Sequence, residues 1–287
     1  MRSLKSRRRV RRGLLTAMGS AAVGNAVGAL VAALLIEPRW IHVTRPTVWL
    51  PDMPEGWDGL RIAHLTDLHH GRMVRLGLIA EAVRLANAES PDLVVLTGDF
   101  VSRPGAITTS LAAALSKLQA PLGSYAVLGN HDHSTDAGGV REMLAAAGVR
   151  LLENSHVLLA RGGDLLAVAG VDDLWFGVPH LASALRDVPP EAGRLLLCHN
   201  PAYARRMPPV PRVDLMISGH THGGQVRLPL LGRRGQLLRL LAPQEGLVRR
   251  RRCPVYVSRG IGMVGLPVRF NCRPELPVIT LRCRAEN

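Results

Sequence analysis

Apolar residues in this chain fall in short unbroken runs: Leu60–Thr66, Leu93–Thr97, Tyr125–Leu128, Leu195–Cys198 and Leu215–Ser218. Runs without polar alternation predict strands buried on both faces, as in a parallel or mixed sheet covered by helices. Other apolar residues recur three and four apart. Leu76, Ile79, Ala80, Val83 and Ala86 form one such set, Leu111, Ala114, Leu115 and Leu118 a second, and Val140, Met143, Leu144 and Ala147 a third. These spacings predict helices. Further short strands are expected near Leu165–Val171, Pro254–Ser258 and Pro277–Leu281. Strand, polar cluster and helix in repetition is the grammar of an α/β protein, and the strand count suits two facing sheets.

The N-terminal pattern is different. Gly13–Ile36 is 24 residues without a charge. At ~1.5 Å per residue it reaches roughly 36 Å, against a hydrocarbon core of ~30 Å. Seven basic residues precede it (Arg2, Lys5, Arg7, Arg8, Arg9, Arg11 and Arg12), and Ser6–Arg12 resembles a twin-arginine export signal. Residues 1–36 therefore predict an uncleaved membrane anchor, with a cleaved signal as the alternative. Positive charge on its N-terminal side places the following domain outside the cytoplasm, at a bacterial cytoplasmic membrane. Pro38, Pro46, Pro51 and Pro54 make 37–59 an extended connector. Residues 60–287 then form one domain, expected to be monomeric.

The formal charge is +14, of which the first twelve residues supply seven. The rest suits anionic substrates or an anionic membrane surface. Four Trp, three Tyr and three Phe offer few platforms for stacking bases, so no nucleic-acid partner is expected. The four cysteines form no C-x-x-C pair. A Cys253–Cys272 bridge is open to an exported domain, and small buried hydrophobes are the simpler expectation.

Polar clusters rich in Asp, His and Asn sit where the apolar runs end. They are Asp67-Leu68-His69, Gly98-Asp99, Gly129-Asn130-His131-Asp132, His199-Asn200 and Gly219-His220-Thr221-His222. In open α/β sheets, ligand groups gather outside the carboxyl ends of the strands. Asp67 and His69, alternate residues of an extended segment, are expected to grip one ion together. Asp99 offers two carboxylate oxygens and can bridge two ions. Asn130 supplies a neutral carbonyl, and His199, His220 and His222 supply imidazoles. A nitrogen–oxygen set without thiolate suits Mn²⁺, Fe²⁺/Fe³⁺, Zn²⁺ or Ni²⁺. Two such ions can bind phosphate oxygens and activate a hydroxide for in-line attack. With only two formal negatives among seven ligands, the pair keeps positive charge for an anionic phosphoester.

The ordered set D-L-H-x-G, G-D-F, G-N-H-D, G-V-D-D, H-N-P and G-H-T-H-G-G-Q resembles the calcineurin-like metallophosphoesterase superfamily, closest to its membrane-associated bacterial branch of the YaeI and YkuE type. Here these stand at 67–71, 98–100, 129–132, 170–173, 199–201 and 219–225. The resemblance implies a four-layer α-β-β-α sandwich from about Leu60 to Leu281. It also implies Asp67, His69, Asp99 and His222 on one metal, and Asp99, Asn130, His199 and His220 on the other. His131 would serve the leaving group, with Asp132 orienting it. His70 and His133 have no assigned role, Asp172 and Asp173 are expected to organise a loop, and Gly223–Gln225 to turn the backbone. The expected activity is metal-dependent hydrolysis of a phosphodiester in a lipid or envelope component. A lipid A-type sugar-nucleotide pyrophosphatase, a nuclease and a non-catalytic metal-binding module are the alternatives.

Overall fold

The structure, a computed structural model, describes residues 23–227 and 245–283. Among them thirteen strands form two sheets. In chain order they are β1 (His42–Thr44), β2 (Thr47–Trp49), β3 (Arg61–Leu65), β4 (Leu93–Thr97), β5 (Ser124–Val127), β6 (Arg150–Leu151) and β7 (Ser155–Arg161). There follow β8 (Asp164–Gly170), β9 (Gly193–Leu197), β10 (Leu215–Ser218), β11 (Gly246–Val248), β12 (Val255–Val257) and β13 (Glu275–Arg282). The helices are α1 (Leu76–Ala88), α2 (Thr109–Leu115), α3 (Asn130–Ala146), α4 (Leu181–Ala184) and α5 (Tyr203–Arg206).

The first sheet runs β1-β13-β3-β4-β5-β6, with β2 also on β13. The second runs β11-β12-β10-β9-β8-β7. In each sheet the central strands that end in the polar clusters are parallel, β3-β4-β5 in one and β9-β10 in the other. All five therefore deliver their carboxyl ends to one rim.

Burial explains the unbroken apolar runs. In β4, Leu93 and Val95 enter the core between the sheets, where they join Leu166, Leu195 and Ile217 of the second sheet. Val94 and Leu96 point the other way, onto Ile79 and Val83 of α1, Leu111 of α2 and Leu144 of α3. Successive strand residues face opposite sides, so a strand covered on both needs an apolar residue at every position. The second sheet repeats this, with Ala169, Leu196 and Met216 packed against Leu181 of α4 and Tyr203 of α5. The layers are α-β-β-α, as expected, and the outer helices of the second sheet are single turns. Burying each large aliphatic side chain stabilises by roughly 1.5–3 kcal/mol.

Three departures are physical. Residues 37–59, expected to be an extended connector, hold 3₁₀ turns at Glu37–Arg39 and Glu55–Trp57, β1 and β2 pair with β13, and Trp57 is fully buried between the sheets, so this stretch packs into the sandwich. The third helix begins at Asn130, ten residues before its apolar stripe, with a non-helical break at Asp136. All four cysteines are buried and free, so Cys253 and Cys272 form no bridge.

Residues 23–31 are helical and continue into a π-turn over Ala32–Ile36. Among the described residues no helix is long and apolar enough to cross a membrane. Most of the expected anchor, in 1–22, and the whole of 228–241, where apolar residues alternate with arginine, lie outside the described residues.

Candidate metal centre

Each candidate ligand leaves the carboxyl end of a strand: Asp67 and His69 after β3, Asp99 after β4, Asn130 and His131 after β5, His199 after β9, His220 and His222 after β10. The first sheet supplies the carboxylates and the amide, the second most of the imidazoles.

The side chains converge as two groups sharing one atom. Around Asp67 Oδ1, His222 Nε2 lies at 3.3 Å, and His69 Nε2 lies 3.1 Å from His222 Nε2. Around His199 Nε2, Asn130 Oδ1 and His220 Nδ1 each lie at 3.2 Å. Asp99 Oδ2 reaches both, at 3.4 Å from His69 Nε2 and 3.2 Å from His199 Nε2. The sets Asp67–His69–His222 and Asp99–His199–His220 could each hold a metal ion. Lone pairs aimed at one another in a buried space, with no thiolate among them, are the donor chemistry of borderline divalent cations. The seven residues singled out in the sequence are thus brought together.

The backbone that does this is not the expected one. β3 ends at Leu65, and Asp67 and His69 have φ of 54° and 46°. They share a site through a left-handed turn, not through alternation along a strand. Asp99, His220 and His222 also have positive φ, at 56°, 69° and 51°. Non-glycine residues held there cost about 1 kcal/mol or more each, and such strain gathers at functional sites. Two glycines make room. A Cβ on Gly129 would overlap the Asp99 carboxylate, and one on Gly219 would overlap the Asp67 carboxylate and Thr66 Oγ1.

Protonation follows from burial and charge. Burial pushes His69 down to about 3, and burial with the neighbouring His199 pushes His220 down to about 4. Both are neutral imidazoles with free lone pairs. Burial opposes charge on His199 as well, but the Asp99 carboxylate outweighs it and raises His199 to about 10. Asp99 mirrors this: burial pushes it up, His199 and His69 outweigh burial, and it settles at about 2. His199 Nδ1–H donates to the Thr97 carbonyl at 2.6 Å, which aims Nε2 into the centre.

His131 lies at the edge of the centre, its ring 4.8 Å from that of His69 and nearly perpendicular. Its backbone N–H donates to Asp99 Oδ1 at 2.8 Å. Asp132 does not orient it. The Asp132 carboxylate is fully buried and accepts from the backbone N–H of Asp99 (2.7 Å), Phe100 (2.8 Å) and Gly129 (2.9 Å). Burial and the Asp99 charge push it up to about 7. Its work is to fasten the two ligand-bearing loops together.

The unassigned residues also find places. His70 Nδ1 meets the Ala106 carbonyl at 2.8 Å. The Gln225 side chain ties to the backbone of Val264 and Leu266, a structural role. Asp172 and Asp173 organise a loop, as expected, by accepting from the N–H groups of Asp173, Val178, Trp175 and Phe176. His133 Nε2 lies 2.9 Å from Asp172 Oδ1, an ion pair too bent for a good hydrogen bond. The position of Trp175 gives the loop added weight: its ring stands edge-on to His220, with centroids 4.5 Å apart.

That ion pair has a pH signature. Asp172 raises His133 above its ordinary 6.5. Burial pushes Asp172 up, but His133 and the backbone donors outweigh it and leave it at about 2. The contribution is complete below about pH 6.5, where a free imidazole is already charged, and fades as pH rises through the raised His133 value. At the acid end it is complete above about 4 and disappears toward 2. Amide exchange in residues 172–178, corrected for intrinsic rate, should therefore accelerate several-fold from pH 6 to pH 9. His133→Asn should remove that dependence, and a flat profile in the parent protein would refute the coupling.

The calcineurin-like phosphoesterase pattern matches residues 60–224. YkuE of Bacillus subtilis (strain 168), an uncharacterized metallophosphoesterase, is 32% identical over 287 residues, 96% of this chain and 98% of that protein. The phosphodiesterase YaeI of Escherichia coli (strain K12) is 34% identical over 261 residues, 85% of this chain and 90% of that protein. A transmembrane protein with metallophosphoesterase domain from Danio rerio is 34% identical over 259 residues, 85% of this chain and 57% of that protein. Members of this family use divalent metals, and the paired Asp and His clusters supply candidate ligands for them. The chain belongs to the calcineurin-like phosphoesterase family, and it is a hydrolase of phosphoesters.

Proposed function

We propose that the protein is a dinuclear metal-dependent phosphodiesterase acting on a lipid or other envelope phosphoester, as a monomer at the outer face of a bacterial cytoplasmic membrane. The observation that carries the dinuclear assignment is Asp99 Oδ2, within 3.4 Å of imidazoles from both groups. Asp67, His69, Asp99 and His222 would hold one ion, and Asp99, Asn130, His199 and His220 the other. When bound, the ions supply Lewis-acid chemistry, neutralising the phosphoester and acidifying a water nucleophile.

The chain's own residues do the rest. His131 stands at the edge of the centre beside His69 and Asp99, and its role here is to give a proton to the leaving oxygen. Asp132 holds the loops after β4 and β5 in register. The uncharged segment 13–36 and the surplus of basic residues support a membrane location for the substrate.

The test uses the full chain reconstituted with Mn²⁺, Fe²⁺, Zn²⁺ or Ni²⁺ and assayed on a phosphoester panel. Metal content near two equivalents and diester hydrolysis lost on chelation are the expected results. His131→Ala should lower kcat by about 10²–10⁴-fold on an alkyl leaving group and much less on nitrophenolate, with metal content unchanged. Equal losses on both, or metal loss in His131→Ala, would remove His131 from the leaving group. Full activity in excess chelator would overturn the whole assignment.

A further inference from the structure

The loop after β8 carries Trp175, Phe176 and Val178 at 59%, 59% and 74% exposure. In a chain with only four Trp and three Phe, two adjacent exposed aromatics are a costly use of apolar surface. Looseness does not account for them. The Asp172 and Asp173 carboxylates accept from the N–H groups of Asp173, Trp175, Phe176 and Val178 at 2.8–2.9 Å. Asn154 Nδ2 donates to the Val178 carbonyl at 2.8 Å, and His133 braces Asp172 from the first turn of α3. Gly177 lies so close to the Asp172 carboxylate that a Cβ would overlap it. The strip is thus held stiffly while its apolar side chains face solvent.

Its position ties it to the chemistry, since the Trp175 ring abuts the candidate ligand His220. Several polar groups around it are engaged, and Asp173 Oδ2 is buried without a partner. Asn154 Oδ1 accepts from the His180 and Asp172 N–H groups, His180 Nδ1 accepts from Ser183, and Asp173 is buried. Trp175, Phe176 and Val178 themselves present ring and aliphatic carbon to solvent beside the centre. A preformed apolar surface next to a charged centre selects substrates that join a phosphate to a hydrocarbon.

We infer that Trp175, Phe176 and Val178 form a specificity platform for a hydrocarbon ester group of the substrate, with Asp172, Asp173 and His133 as its positioning residues. The inference rests on the phosphodiesterase assignment above and names the substrate's apolar part.

The experiment measures binding by calorimetry. The Mn²⁺-loaded full chain is titrated with n-alkyl phosphonates from methyl to octyl, and separately with a nucleoside monophosphate. Each buried methylene is worth about four-fold in affinity, so octyl phosphonate should bind at least about a hundredfold more tightly than methyl. Trp175→Ala with Phe176→Ala should erase about tenfold or more of that ratio. His133→Asn should reduce it less, and Phe176→Leu should retain most of it. Equal affinity for methyl and octyl, or a ratio untouched in the double variant, would overturn the platform and leave the metal centre standing. Tighter binding of the nucleotide than of the octyl compound would overturn the hydrocarbon in favour of a base. Failure of every phosphonate to bind would overturn the phosphodiesterase assignment and the platform with it.

Discussion

Asp99→Ala is expected to reduce bound metal from two equivalents to below one and to lower kcat by at least about a thousandfold. The reason is geometric: a single carboxylate oxygen approaches His69 of one group and His199 of the other. No other side chain in the centre spans both. Asp67→Ala should be milder in metal content, because the imidazole its carboxylate approaches is that of His222, and from the other group it meets only the His220 backbone N–H. The loss should also register without metal. His199 is raised to about 10 chiefly against the pull of burial by Asp99, so the variant's His199 should titrate far lower by NMR in the apo protein. Full retention of two ions in Asp99→Ala, with turnover within tenfold of the parent, would show that the centre is not bridged there.

Asp132→Ala should be the most destabilising single change at the site. Its carboxylate is the acceptor for the backbone N–H groups of Asp99, Phe100 and Gly129, with Val101 at a longer 3.4 Å, and so ties two loops together. Leaving a buried donor unsatisfied costs about 1–3 kcal/mol, offset here by relief of a carboxyl that burial already disfavours. A net loss of about 3 kcal/mol is expected, or roughly 6–12 °C in Tm for a domain of this size. Metal affinity should fall with it, since Asp99 and Asn130 ride on those loops. Asp132→Asn should recover part of the stability. Thermal unfolding of both variants is decisive: an unchanged Tm, with a loss confined to poor leaving groups, would restore Asp132 as a partner of His131.

The parts of this molecule legible in the sequence are those where chemistry and pattern coincide. Strands covered on both faces cannot avoid continuous apolar runs, so β3, β4, β5, β9 and β10 stood out. Their polar termini then named the ligands. The short edge pieces were opaque. β1 and β2 are three residues each among prolines, and only their pairing with a strand more than 220 residues away makes them strands at all. The Asp67–His69 geometry was misjudged because period-two alternation holds only inside a strand, and the strand had ended. The role of Asp132 is opaque in the sequence, because the Asp99 and Phe100 N–H donors it serves lie more than thirty residues earlier. The apolar strip at 175–178 shows in the sequence as a loop rich in large side chains, but its contact with His220 exists only in three dimensions.

The position of β13 has a consequence for how the protein comes into being. This strand lies between β1 and β3 in the first sheet and pairs with β1, β2 and β3 together, through residues 275–282. A chain growing from the ribosome therefore reaches residue 274 with a gap in the middle of its principal sheet. Domains usually fold as units during synthesis, but this one cannot close its sheet until residues 275–282 have been made. A ribosome stalled before residue 275 would hold an open sheet with exposed edges on both sides of the gap. Messages truncated before codon 275 should yield protease-sensitive, aggregating product.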